Sequence, residues 1–158
     1  MNDYGRRIVI DLGFASAVGA ATHAMRDEGL EVVARVDVRE HVRRDLRHDF
    51  RQYVLLDAWP ADAAFEALQT NLDIGTILRT TFAVYELADG ETAIAASEPL
   101  LSVSSDPGWR QDAVVLTRIA DRICERVARV LTRLQHAASQ PASMESTVAI
   151  VALGHASA

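Results

Sequence analysis

The sequence has no lysine and only one cysteine, and these scarcities already exclude some kinds of site. All sixteen basic residues are arginine, which we interpret as a bias of composition rather than a sign of function. Cys124 has no second cysteine to pair with, so the chain can form neither an intrachain disulfide nor a thiolate metal cluster. Its position on the flank of an apolar helical stripe predicts a buried structural cysteine.

Basic charge is scarce relative to acidic charge, because 16 basic and 22 acidic residues give a formal net charge of -6. A general nucleic-acid binder needs a dense basic face for the phosphates, so we expect no nucleic-acid partner. No apolar run approaches the roughly 20 residues of a membrane span, so we expect no membrane partner. Residues 6–24 resemble a signal peptide, but Asp11 interrupts the apolar part, and we therefore expect a cytoplasmic protein.

Short catalytic motifs are absent as well. The chain contains no glycine-rich phosphate loop, no Gly-x-Ser-x-Gly and no His-Glu-x-x-His. These absences favour a non-catalytic protein, and we expect no cofactor.

The apolar pattern of the chain predicts one α+β domain over residues 1–138. Alternation predicts strands, and in the second of them Val32, Ala34 and Val36 are expected to share one face. A spacing of three and four predicts helices, among them one that opens after Pro60 and buries Phe65. The predicted strands cover residues 7–12, 31–38, 53–59, 78–87 and 92–97, and the predicted helices begin near residues 17, 39, 60 and 112.

The last predicted helix is long and runs to about His136, with an apolar stripe that we expect to pack across the sheet and arginines that we expect to face solvent. Residues 139–158 form a small-residue linker and an apolar tail. The tail is too short to span a membrane, and it is an edge strand, a partner contact or a disordered end.

Several short motifs, taken in order, resemble the bacterial and archaeal family of domains of unknown function numbered 302. Gly29-Leu30 resembles the family's Gly-Phe after the first helix, and residues 53–56 resemble its third strand. Pro60 resembles the proline of Cys-Asn-Pro, residues 75–78 resemble part of Ile-Gly-Leu-Leu-Leu-Pro-Cys, and Glu98-Pro99 resembles Asp-Pro. The resemblance covers about residues 8–134. It implies a curved antiparallel sheet of about five strands backed by helices, similar to the TATA-box-binding-protein architecture and often dimeric, with no established activity.

The chain departs from the family pattern at the two cysteines. Ala58 stands two residues before Pro60, where many members have cysteine, and Thr80 stands at the cysteine of Leu-Pro-Cys. Any thiol redox or thiolate-metal chemistry of those cysteines therefore has no residues here to perform it.

One carboxylate stands out because it interrupts an apolar strand. Asp57 needs a partner if it is buried, and Arg79 is expected to lie near it. Such a pair can bind a ligand carboxylate or do acid–base work, or it can be a purely structural ion pair. Trp59 and Tyr85 are candidates to line an apolar ligand pocket, and Asp37 or Glu98 is a candidate second carboxylate.

A charged segment over residues 39–51 offers two weaker candidates. His41, Asp45 and His48 share one helical side, but two histidines seven residues apart lie roughly 10 Å apart along the axis, so we expect no metal site. The arginines there are interleaved with acids, which makes a solvated helical face the simpler interpretation.

The sequence therefore supports two hypotheses. The first is a non-catalytic, homodimeric domain that binds a small molecule, an apolar ligand or a protein partner. The alternative is an enzyme with a carboxylate and arginine site around Asp57 and Arg79. A purely structural hypothesis, in which the long helix and the tail form a dimer interface, also stays open.

Overall fold

A computed structural model of the chain describes residues 5–87, 90–97 and 113–139. The described part contains five strands, four α-helices and a short 3-10 helix at Leu72–Thr76. In chain order the elements are β1 (Arg6–Ile10), α1 (Phe14–Asp27), β2 (Glu31–Asp37), α2 (Val38–Leu46), β3 (Tyr53–Trp59), α3 (Ala61–Thr70), β4 (Thr80–Glu86), β5 (Thr92–Ala96) and α4 (Ala113–Ser139).

All five strands join one sheet in the order β1-β5-β4-β3-β2, and every neighbouring pair is antiparallel. The predicted α+β class, with a five-stranded antiparallel sheet and a long C-terminal helix, is confirmed. The apolar tail at residues 147–153, together with Glu98 and the linker, lies outside the described residues.

The hydrophobic core lies between one face of the sheet and helices α1, α3 and α4. Strand residues alternate between the two faces, so every second residue of β3 and β4 is buried. Helix α2 buries none of its residues and forms no second layer. We call the other side of the sheet the open face. Its members include Arg7, Val9, Ala34, Val36, Tyr53, Leu55, Asp57, Thr81, Ala83, Tyr85, Ala93 and Ala95.

The register of β2 differs from the predicted alternation. The strand shifts register between Val32 and Ala34, so Val32 pairs with Ala58 on the covered face. Ala34 and Val36 instead lie on the open face. The inserted residue is the physical reason, because one extra residue in a strand moves all later side chains to the other face.

Helix boundaries also differ from the prediction in two places. Helix α1 begins at Phe14 after Gly13, not after Ser16, but it ends as predicted before Gly29, which has a positive φ of 72°. Helix α2 ends at Leu46 because Arg47 adopts the left-handed conformation, with φ of 56°. The helical periodicity that extends to Phe50 in the sequence is therefore interrupted by a backbone turn.

Helix α3 packs through alanines rather than through its large apolar residues. Ala63, Ala64 and Ala67 are fully buried, whereas the side chain of Phe65 is 66% exposed. The prediction that Phe65 faces inward is wrong. Alanines let the helix backbone approach its neighbours closely, and a phenylalanine ring at the same contact would hold it away.

Helix α4 lies across α1 and α3, and a ladder of arginines fixes it there. Three of the five arginines predicted to face solvent, Arg118, Arg129 and Arg133, do so, but all five also pair with acids on the neighbouring helices. Arg126 makes two hydrogen bonds to Asp62 of α3, at 2.7 and 2.5 Å, and its side chain is only 18% exposed. The remaining pairs are Arg118 and Arg122 with Glu66, Arg129 with Glu28, and Arg133 with Asp27 and Glu28.

We expect Arg126→Met to lower the free energy of unfolding by about 1 kcal/mol at neutral pH. The Arg126 guanidinium lowers the pKa of Asp62 from its ordinary value of 3.8 to about 2. A carboxyl with a lowered pKa stabilises the fold above the pKa of the unfolded chain and loses that effect as the pH falls through about 2. Urea unfolding between pH 7 and pH 2 should therefore show that the difference in the free energy of unfolding between variant and wild type becomes smaller in acid. Arg118→Met, at a more exposed pair, is the control with a smaller effect at pH 7, and a difference independent of pH would contradict the argument.

Two buried threonines of the sheet have opposite hydrogen-bonding environments. Thr80 and Thr92 are both fully buried. The Thr92 hydroxyl donates to the carbonyl of Leu12 at 2.7 Å, whereas Thr80 Oγ1 has no hydrogen-bond partner among the described residues. An unpaired buried hydroxyl destabilises the fold, because it loses water without gaining a partner.

We expect Thr80→Val to raise the free energy of unfolding by about 1 kcal/mol, because it removes the unpaired hydroxyl at nearly constant volume. Thr92→Val is the matched control and should lower that free energy by a similar amount, because it leaves the Leu12 carbonyl without its donor. Urea denaturation of both variants at one pH measures the two signs. If both variants lose stability, Thr80 has a partner that this geometry does not contain.

Candidate functional site

The open face brings together three of the residues singled out from the sequence, Asp57, Arg79 and Tyr85. Its centre is an apolar row that crosses the strands, since Ala95 pairs with Ala83, Ala83 with Leu55, and Leu55 with Val36. Arg7 pairs with Ala95 and stands at the β1 end of this row. We call these residues the central row.

An aromatic row borders the central row on one side. The rings of Tyr53 and Tyr85 stack with centroids 5.2 Å apart and planes 9° apart, and Phe50 lies 6.2 Å from Tyr53. Arg7, at the end of the central row, also contacts the aromatic row. Its Nε donates to the Tyr85 hydroxyl at 2.9 Å, and its guanidinium lies 5.9 Å from the Tyr85 ring centroid. Burial raises the pKa of Tyr53, and the neighbouring Tyr85 adds to the effect, so Tyr53 stays neutral at physiological pH.

The side chains of Arg7 and Tyr85 meet above β5, which carries small residues on this face. Ala93 is fully buried although no described helix covers the open face, and it pairs with both Val9 and Tyr85. A larger residue at position 93 would occupy the space in which Arg7 and Tyr85 meet.

A polar cluster borders the central row on its other side. Asp57 accepts a hydrogen bond from the Thr81 hydroxyl at 2.7 Å and another from Arg79 at 3.2 Å. The backbone N–H of Thr81 donates to the Ser97 hydroxyl at 2.9 Å. The structure thus places Asp57 and Arg79 together, and the side chain of Asp57 is 21% exposed. The cluster can accept from a ligand donor at Asp57 and donate to a neutral ligand acceptor from Arg79, whose charge is already paired with Asp57.

The other residues predicted from the sequence do not join this cluster. Asp37 caps helix α2, where its Oδ1 accepts from the Glu40 N–H at 3.0 Å, and it pairs with Val54 rather than with a neighbour of Asp57. Trp59, at the end of β3, packs against the hydrophobic core. Glu98 lies outside the described residues.

The charged segment over residues 39–51 borders a shallow groove. His41 Nδ1 lies 2.7 Å from the Asp37 carbonyl oxygen. Within the described residues, no group of three or more histidine, cysteine, aspartate or glutamate side chains could hold a metal ion. The groove, of about 460 Å³, is lined by Arg39, Asp49, Phe50, Arg51, Gln52 and Glu86, whose two arginines and two acids balance in charge.

No helix in the described ranges is long and apolar enough to cross a membrane.

The two positions where the family pattern has cysteine lie side by side. Ala58 and Thr80 pair directly across β3 and β4, and both are fully buried on the covered face. Two cysteines at these positions would be direct cross-strand neighbours. In this chain the same pair of positions holds a methyl group and a hydroxyl, neither of which can perform thiol chemistry.

Two residues of the open face were missed from the sequence. Thr81 orients Asp57. The sequence signal for it is that Thr81 lies two residues from Arg79 in a predicted strand, where alternation puts both side chains on one face. The sequence places Arg7 at the start of the first predicted strand and in the apparent signal peptide, and neither pattern predicts a binding role for it. Its contact with Tyr85 joins residues 78 positions apart and leaves no local pattern in the sequence.

The comparisons with known proteins agree with this architecture. The family described as domain of unknown function DUF302 matches residues 7–139. A crystal structure of an uncharacterized conserved DUF302 protein from Bacillus stearothermophilus superposes with a TM-score of 0.70 at 24% sequence identity. The superposition covers 84% of this chain and 99% of that one, and at this identity it shows the fold alone. No curated protein matches the sequence. Because the family match extends over most of the chain, the protein belongs to the DUF302 family.

Proposed function

We propose that the protein is a non-catalytic small-ligand-binding domain and that the open face is its binding surface. The observation that carries the proposal is the make-up of this face. An apolar central row lies between an aromatic row and a cluster of polar groups. Small-molecule sites usually combine an apolar lining with a few polar groups that fix the orientation of the ligand. Asp57, Arg79 and Tyr85 are the ligand-binding residues in this proposal.

The geometry gives less support to the alternative of an enzyme. Acid–base catalysis needs a titratable group within hydrogen-bond reach of the reacting proton, and usually a second group in the opposite role. Asp57 is hydrogen-bonded to Thr81 and Arg79, and among the described residues no second carboxylate joins it. We therefore assign the polar cluster a role in binding rather than in catalysis.

A homodimer is the second candidate, and one observation favours it. Apolar residues on the open face reach both edge strands, where Val9 is 41% and Val36 is 37% exposed. With strands about 4.8 Å apart and residues about 3.4 Å apart, the face measures roughly 500 Å² in projection. Specific interfaces bury at least roughly 600 Å² on each partner, so a second copy would need to cover the whole face. In that arrangement two sheets face each other.

The ligand-binding proposal predicts that a neutral apolar fluorophore binds to the open face. We expect 1-aminoanthracene to gain fluorescence with the wild-type protein and to bind at least tenfold more weakly to Leu55→Lys, because a lysine in the central row places a charge where the probe lies. Phe65→Lys is the matched control, since Phe65 is an exposed apolar residue on helix α3. Equal binding by wild type and Leu55→Lys would overturn the assignment of the surface.

The homodimer candidate predicts a mass of twice the 17.3 kDa of one chain in light scattering. We expect Val9→Lys to shift the protein towards the monomer, because the charge would be buried between two sheets. Phe65→Lys should leave the mass unchanged. A wild-type protein that stays monomeric over a wide range of concentration would reject the homodimer and leave the ligand-binding proposal standing.

A further inference from the structure

We infer that the ligand of the open face is an amphiphilic carboxylate, meaning an apolar body that ends in a single carboxylate group, and that Arg7 is the residue that binds the carboxylate. The inference rests on the proposed function, because it names the class of ligand for the same surface.

Arg7 is an oriented cation with unused donors. Its Nε donates to the Tyr85 hydroxyl, and its guanidinium carbon lies 5.9 Å from the centroid of the Tyr85 ring. In the part of the chain that the structure describes, Arg7 makes no ion pair, unlike Arg118, Arg126 and the other ladder arginines. Its two terminal nitrogens therefore keep their N–H groups for a ligand, in the planar geometry that matches a carboxylate.

Tyr85 adds a second kind of donor at the same place. Its oxygen accepts the hydrogen bond from Arg7, so its own O–H group remains to donate. A carboxylate oxygen bound to the terminal nitrogen on the Nε–H side of the Arg7 guanidinium would lie within reach of this hydroxyl. The pair thus provides a charged donor and a neutral donor on one edge of an apolar surface.

The central row supplies the surface for the apolar body. From Arg7 it passes over Ala95, Ala83 and Leu55 to Val36, which is roughly 19 Å across five strands at about 4.8 Å spacing. Beyond Arg7, the row carries no charge. A chain-like ligand fits this arrangement with its head at β1 and its body across the strands, beside the stacked tyrosines.

The polar cluster restricts the ligand to one carboxylate. Asp57 lies beside the central row on β3, two strands beyond β5, and its carboxylate would repel a second anion there. Arg79 already shares its charge with Asp57. A dicarboxylate therefore fits this surface less well than a monocarboxylate.

Calorimetric titrations with decanoate and with 1-decanol test the inference. For the wild-type protein we expect decanoate to bind at least tenfold more tightly than 1-decanol. We expect Arg7→Met to lose this preference, because methionine keeps an apolar stem but not the charge, while 1-decanol affinity stays within twofold. Arg26→Met, which removes an exposed arginine from the end of helix α1, is the control with the same change in charge and should behave as wild type.

The outcomes separate the two proposals. If both probes bind the wild-type protein equally well, the carboxylate class is wrong, while the open face remains an apolar binding surface. The same conclusion follows if Arg7→Met weakens both probes by the same factor, since Arg7 would then contribute packing rather than charge recognition. If neither probe binds, the inference and the proposed function both fail. Circular dichroism of each variant establishes that the fold is intact before binding is compared.

Discussion

The packing of helix α4 is the constraint on which the rest of the structure depends. Seven of its residues are buried, and they cover the sheet together with residues from α1 and α3. Burial of this apolar stripe supplies most of the free energy that holds α4 against the sheet, at roughly 25 cal/mol for each Å² removed from water. The arginine ladder adds less, because exposed ion pairs contribute at most about 1 kcal/mol each. The ladder instead determines the position of α4, because each arginine can reach its acid on the neighbouring helix at only one placement of α4.

Because α1, α3 and α4 all lie on one side, the other side of the sheet carries no helical layer in the described part of the chain. The side chains there adapt to that condition in two ways. Tyr53 and Tyr85 shield each other by stacking, and Arg7 hydrogen-bonds to the Tyr85 hydroxyl. The open face is thus partly closed by its own side chains, and its central row is what remains available to a ligand or a second copy.

Much of the fold follows from local patterns in the sequence, and the failures have identifiable causes. Strand β3 was predicted at its observed bounds because its apolar run is bounded by polar residues and Pro60. The inner face of α3 was predicted wrongly because periodicity cannot distinguish a contact made by alanines from one that needs Phe65. The ladder was missed because a pattern places arginines on a helix face without revealing the acids of another helix. The register shift at Val33 was missed because alternation contains no sign of an inserted residue.

The candidate site also contains residues that the sequence predicts and a residue that it does not. Asp57 and Arg79 were paired from the sequence because a charge inside an apolar strand demands a partner, and the structure places one 3.2 Å away. Arg7 could not be found in this way, because nothing near it in the sequence demands a cation. Its significance depends on a neighbour that only the folded sheet brings close.

The missing cysteines and the open face concern opposite sides of the same two strands. Ala58 and Thr80 pair on the covered face, whereas Asp57 and Thr81, one residue away on each strand, pair on the open face. Alternation sends adjacent residues in opposite directions, so a change at Ala58 or Thr80 leaves the contacts of Asp57 in place. Thiol chemistry at the family's cysteine positions would take place in the buried layer beneath the helices. Binding on the open face therefore requires no thiol, and a chain without those cysteines keeps all the groups that the proposed ligand would contact.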